Sequence, residues 1–151
     1  MRRQEGFSLI ELMIVIGLMA ILGSLAAYSW PRYVDNTNLK AAAREVMADM
    51  ALAKQKATSE GVQYRLTFTA GAGNYTISAS PFSTVQTKSL TAFGNGLSVQ
   101  SVSFTSGQIT FLPRGTLSGG TGTVVLRNGR NSTATITINF TGRTYVAFAM
   151  Q

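Results

Sequence analysis

From Phe7 to Tyr28 the chain carries one charged side chain, Glu11, in an otherwise uncharged and largely apolar run. Wound as a helix, that run is about 33 Å long at 1.5 Å per residue. A bilayer's hydrocarbon core is about 30 Å thick, so the segment is long enough to span one. An ionised side chain at the centre of such a helix costs about 2.5–3.5 kcal/mol on insertion scales, which makes Glu11 a functional-site hypothesis in its own right. The cost falls if a cation waits nearby. Arg2 and Arg3 precede the run, so by the positive-inside rule that end stays cytoplasmic and the rest is exported. Gly17, Ala20, Gly23, Ala26 and Ala27 are small and suit close packing between apolar helices.

Two plainer readings stand beside this one. Ser24-Leu25-Ala26 looks like the cleavage site of an ordinary secretory signal peptide, and the run could be a plain anchor. Against the signal peptide, the run exceeds the usual core of about 7–15 residues. Neither reading accounts for Glu11 or for the residues just ahead of Phe7.

A chain of 151 residues suits an anchor plus one globular domain. Roughly 120 residues follow the run, enough for a modest core. The net charge is +7, and its distribution matters more than its size. All six acids, Glu5, Glu11, Asp35, Glu45, Asp49 and Glu60, fall within the first sixty residues, whereas Arg65, Lys88, Arg114, Arg127, Arg130 and Arg143 come after. The exported domain thus projects a one-signed field that favours polyanions. There is no His and no Cys, so thiolate metal sites and disulfides are excluded. The β-rich part has no carboxylate for general acid–base work. A Ser-Lys dyad using Lys88 has nothing to position it. No catalytic residue, metal site or cofactor is expected. Gly119-Gly120-Thr121-Gly122 lacks the Lys and the following helix of a phosphate-binding loop and reads as a flexible hairpin.

Leu39, Ala43, Val46, Met50, Ala53 and Ala57 recur at helical spacing, one apolar stripe on an amphipathic helix. Asn36 and Asn38 are candidate N-caps and Gly61 a candidate stop. Pro31 to Asn38 would either separate two helices or bend one. Val62, Tyr64, Leu66 and Phe68 alternate with polar residues, as in a half-buried strand. Further strands are expected at 75–79, at an edge near 88–92, and at 97–104, 108–112, 122–127, 134–140 and 143–150. Asn128-Gly129 and Thr141-Gly142 signal tight turns. One long helix followed by antiparallel strands argues α+β, with the helix laid on an antiparallel sheet. The expected divisions are 1–6, 7–30 (apolar helix), 31–61 (amphipathic helix) and 62–151 (β-rich domain).

Gly6-Phe7-Ser8-Leu9-Ile10-Glu11-Leu12 resembles the class III signal of type IV prepilins and type II secretion pseudopilins. The resemblance implies that 1–6 is a leader cut between Gly6 and Phe7 by a prepilin peptidase, with N-methylation of Phe7. The new ammonium of Phe7 would then meet Glu11 of a neighbouring subunit in a water-free filament core. Breaking a buried pair of that kind typically costs about 3–5 kcal/mol, so it can select axial register. The family usually carries a helix-kinking Pro near the position of Tyr28, and this chain has Pro31 instead.

The passage from Leu39 through Phe68, the segment Ile109-Thr110-Phe111-Leu112-Pro113-Arg114-Gly115-Thr116, and Ile136-Thr137-Ile138 followed by Thr141-Gly142-Arg143 resemble the GspH/FimT group of minor pilins and pseudopilins. Thr144-Tyr145 stands where members often carry a second basic residue. The resemblance implies a pilin-like fold and a low-abundance subunit that helps initiate or cap a type IV pilus or a type II secretion pseudopilus. Its partners would be the prepilin peptidase, other pilin or pseudopilin subunits and the bacterial inner membrane. It would cross that membrane once, its C-terminal domain in the periplasm, before entering the filament. Some members bind DNA for uptake. If Arg114, Arg127, Arg130 and Arg143 share one edge, they form a phosphate-binding patch for duplex DNA, sequence-independent because phosphate contacts position without specifying. The plainer reading is a solvated basic surface.

Overall fold

The computed structural model describes residues 7–83 and 85–151. One helix, α1 (Leu9–Glu60), is followed by eight strands: β1 (Tyr64–Phe68), β2 (Asn74–Ala79), β3 (Val85–Ser89), β4 (Ser98–Val102), β5 (Gln108–Phe111), β6 (Gly122–Arg127), β7 (Thr133–Ile138) and β8 (Thr144–Ala149). The fold is α+β. Two compact units divide at Val34 and Asp35. Pro31 lies inside α1, so the segment after it does not start a second helix. Asn36 and Asn38 are accordingly not caps. Asn36 instead accepts a hydrogen bond from Asn128 (3.2 Å), and Asn38 packs where a side chain on Gly94 would collide with it. The helix does end at Glu60, and Gly61 takes φ +69°, a left-handed C-terminal stop that glycine adopts without strain.

In the first unit, the side chains from Leu9 to Ser24 ring the helix with apolar groups. Leu9, Met13, Met19 and Leu22 are each more than 60 % exposed. That stretch is about 24 Å long. Among the described residues no helix is long and apolar enough to cross a membrane.

In the second unit, Leu39, Ala42, Ala43, Val46, Met50, Ala53 and Ala57 are buried in one core with the inward residues of the strands. The small Ala side chains let the sheets approach the helix closely. The expected single sheet is two, each antiparallel and four-stranded. One runs β3-β2-β1-β5 and the other β4-β6-β7-β8. Strict alternation is seen in β1, where Tyr64, Leu66 and Phe68 are buried, and in β7, where Ala134, Ile136 and Ile138 are. The chain changes sheet between β3 and β4, between β4 and β5, and between β5 and β6. Leu117 bridges to Phe111 of the first sheet and its amide donates to the carbonyl of Phe140 beyond β7. The glycine-rich 119–122 segment is therefore a crossing between sheets and not a hairpin. The expected edge strand near 88–92 lies earlier, at β3, because Leu90 turns into the core and residues 91–93 form a short 3-10 turn.

Candidate functional site

Ser8 stands just ahead of α1, and its carbonyl accepts from the amides of Glu11 (3.1 Å) and Leu12 (3.2 Å). Glu11 is thus in the first turn, where the partial positive charge of a helix N-terminus favours a carboxylate. Ser8-Leu9-Ile10-Glu11 has the spacing of a capping box. That spacing was available in the sequence. Phe7 is 84 % exposed. Gly6 and the expected leader 1–6 lie outside the described residues. A helix that is apolar all round belongs inside something, a core or a membrane, and the described part of the first unit supplies nothing to cover it.

The four arginines do not share one edge. Arg127 ends β6, Arg130 lies in the β6–β7 turn, and Arg143 lies in the β7–β8 turn. Strand β7 runs between those two turns, so they sit at its opposite ends, about 17 Å or more apart at the rise of an extended strand. Arg130 is further committed, with its Nε 2.6 Å from Asp35. Arg114 belongs with Arg143. A Cβ on Gly142 would stand 3.3 Å from the carbonyl oxygen of Gly115, so the two turns touch.

These turns share one construction. In each, an amide bonds back to the carbonyl three residues earlier, and a residue in the left-handed region closes the loop. These are Gly115 (φ +80°), Asn131 (φ +64°) and Gly142 (φ +74°). The three-residue loop closed by a left-handed residue is a common hairpin form. Asn128 and Asn139 anchor two of them. The Asn128 Oδ1 accepts from the amides of Arg130 and Ser132, and the Asn139 Oδ1 accepts from the Arg143 amide and the Thr141 hydroxyl. Asn128-Gly129 does mark a turn, but its left-handed residue is Asn131.

A second polar cluster ties α1 to the first sheet. Asp49, 5 % exposed, accepts from the Tyr75 hydroxyl on β2 at 2.5 Å and lies 3.4 Å from the Lys88 Nζ on β3. Lys88 also reaches Glu45 at 3.4 Å. Burial, reinforced by the bond to Asp49, pushes the Tyr75 phenol well above its ordinary range. The Asp49 charge raises the Lys88 ammonium against a smaller opposing effect of desolvation. A cleft of about 360 Å³ opens beside this cluster, walled by Leu52, Ala53 and Ile77. Among the described residues no group of three His, Cys, Asp or Glu is placed to hold a metal ion.

The arrangement of buried helix face, first strand and turns corresponds to a known family. Residues 42–142 match the model of the type II transport protein GspH. The chain belongs to the GspH family. Residues 1–27 match the prokaryotic N-terminal methylation motif, which takes in Gly6, Phe7 and Glu11. The GspH match covers the buried helix stripe from Ala42 to Ala57 and every strand but β8. Two solved structures share the fold. The minor pseudopilin EpsH of the Vibrio cholerae type 2 secretion system gives a TM-score of 0.58 at 13 % identity, covering 74 % of this chain and 97 % of that one. The type IV minor pilin FimU of Pseudomonas aeruginosa gives 0.59 at 16 % identity, covering 76 % and 92 %. At these identities the likeness is one of fold. No curated protein compared with the chain matches it.

Proposed function

We propose that this GspH-family chain is a minor subunit that helps initiate or cap a type IV pilus or a type II secretion pseudopilus. One observation carries the reading: α1 begins with an all-round apolar surface bearing a single carboxylate, Glu11, and nothing in the described first unit covers it. Before assembly the cover would be the inner membrane. The apolar sequence continues to Tyr28, which brings the run to about 33 Å and makes it long enough to span. The C-terminal domain then lies in the periplasm. In the filament the cover would be the equivalent helices of neighbouring subunits.

The methylation motif supports cleavage between Gly6 and Phe7 by a prepilin peptidase and methylation of Phe7. Phe7 and Glu11 then serve as the assembly pair, each neutralising the other between subunits. No catalytic residue and no cofactor enter this reading. The alternative of a tip subunit binding duplex DNA loses its main support, because Arg127 and Arg130 sit at the far end of β7 from Arg143 and Arg114. Intact mass of the protein recovered from cells tests the reading. The expected terminus is a methylated Phe7. Gly6→Ala should block cleavage, and an intact Met1 in the parent chain, or a terminus near Ala27, would overturn it.

A further inference from the structure

At the Arg143 turn a cleft of about 410 Å³ is lined by Lys54, Gln55 and Thr58 of α1 and by Gly142, Arg143 and Thr144. Its floor is fixed. The Lys54 Nζ donates to the carbonyl of Thr141 at 2.8 Å. The Lys54 stem runs against two glycines, where a Cβ would stand 3.1 Å (Gly142) or 3.5 Å (Gly115) from it. Arg114, in the adjoining turn, donates to Thr116 at 2.8 Å. Among the described residues Arg143 forms no ion pair. Phe140, in the same turn, and Tyr145, two residues on in β8, are both exposed (51 % and 53 %). Exposed aromatics around an arginine are the composition of a protein-binding hot spot.

The charge inventory of the second unit says what can dock there. It holds ten Lys and Arg against four acids. Every one of those acids is already engaged: Asp35 with Arg130, Glu45 with Lys88, Asp49 with Lys88 and Tyr75, and Glu60 with the Tyr64 hydroxyl at 2.7 Å. A second copy would bring ten cations against four acids, each acid already partnered within its own chain, and like charges across an interface repel.

The geometry points to a docking surface at Lys54, Arg143, Phe140 and Tyr145 for a carboxylate-bearing segment of a different subunit. The inference rests on the filament reading and adds the chemistry of the neighbour. A protein partner fits better than duplex DNA. DNA presents about one charge per 1.7 Å of its axis and is held by many cations spaced along it, whereas here the cations are split between opposite ends of β7.

The test uses the full chain in neutral dodecyl maltoside micelles with a fluorescent oligoglutamate peptide as probe. Arg143→Glu should weaken peptide binding at least about tenfold, as loss of a charge-assisted contact does, while Arg143→Lys retains part of it. Arg127→Glu changes net charge equally but sits at the other end, and should change binding by less than about twofold. Equal losses in both glutamate variants would mean net charge alone acts and would overturn the site. Duplex DNA bound more tightly than the peptide would overturn it in favour of nucleic acid. A photo-crosslinker at Thr144 in assembling cells should capture a different pilin-like chain through an Asp- or Glu-bearing segment. Capture of a second copy, or no product, overturns the proposal. The peptide assay needs no filament, so its failure is distinct from a failure of processing at Gly6.

Discussion

The Tyr75 hydroxyl and the Asp49 carboxylate meet at 2.5 Å across the packing face between α1 and β2. Asp49 lies on the buried side of the helix, one residue from Met50. A carboxylate there is tolerated because Tyr75 donates to it and the Lys88 ammonium lies 3.4 Å away. Tyr75→Phe should destabilise the protein by about 1–3 kcal/mol, the usual cost of leaving one buried acceptor short of a donor. Chemical denaturation of parent and variant in the same detergent reads it. An unchanged midpoint would show that the bond contributes nothing net.

The two groups facing Asp49 set a pH dependence. Tyr75 and Lys88 hold their protons more tightly when folded than when unfolded. Their contribution is therefore complete below the unfolded values, about 10 for tyrosine and 10.4 for lysine. It is lost as pH rises further, because the unfolded state releases its protons first. Stability should be flat with respect to these groups from about pH 7 to 9 and fall above about pH 10. Tyr75→Phe should flatten part of that fall. Denaturation midpoints at three pH values check it.

Gly142→Ala should lower stability by about 1–2 kcal/mol. The residue sits at φ +74°, a region L side chains enter at a cost of this order. Its new Cβ would press on Lys54 and Phe111 at 3.1 and 3.2 Å. Gly129→Ala is the control, because a Cβ there meets nothing and its φ is not in that region. A thermal melt of the two variants should separate them.

Glu11→Gln separates capping from charge. Glutamine serves in a capping box as well as glutamate does but carries no charge to pair with an ammonium. Helicity of the solubilised protein should be unchanged, while incorporation into sheared filaments or pseudopili should drop severalfold, as expected when a buried ion pair loses one partner. Normal incorporation with Glu11→Gln would show that the Glu11 charge plays no part in assembly.

Asp35→Ala should matter little for stability. The pair with Arg130 is short, but both side chains are more than a third exposed, and exposed pairs contribute about 0.2–1 kcal/mol. The loss should shrink further in high salt, which a denaturation series at two ionic strengths would show.

Much of this protein was written locally. The apolar run with its lone acid, the stripe from Leu39 to Ala57 and the alternation at Tyr64, Leu66 and Phe68 are short-range periodicities, and a period fixes which side of an element turns inward. Gly61 and Gly142 announced their stops because only glycine takes left-handed backbone freely. The Ser8-to-Glu11 spacing was equally local. What no window of sequence held was the choice of neighbour. Alternation tells a strand its buried face, not its partner, so the division into two sheets, the parting of Arg127 and Arg130 from Arg143, and the meeting of Asp49 with Tyr75 and Lys88 were decided only when distant segments packed. Pairings of that kind, like the bridge of Leu117 to Phe111 and the approach of Gly142 to Gly115, arise between elements and leave no period along the chain.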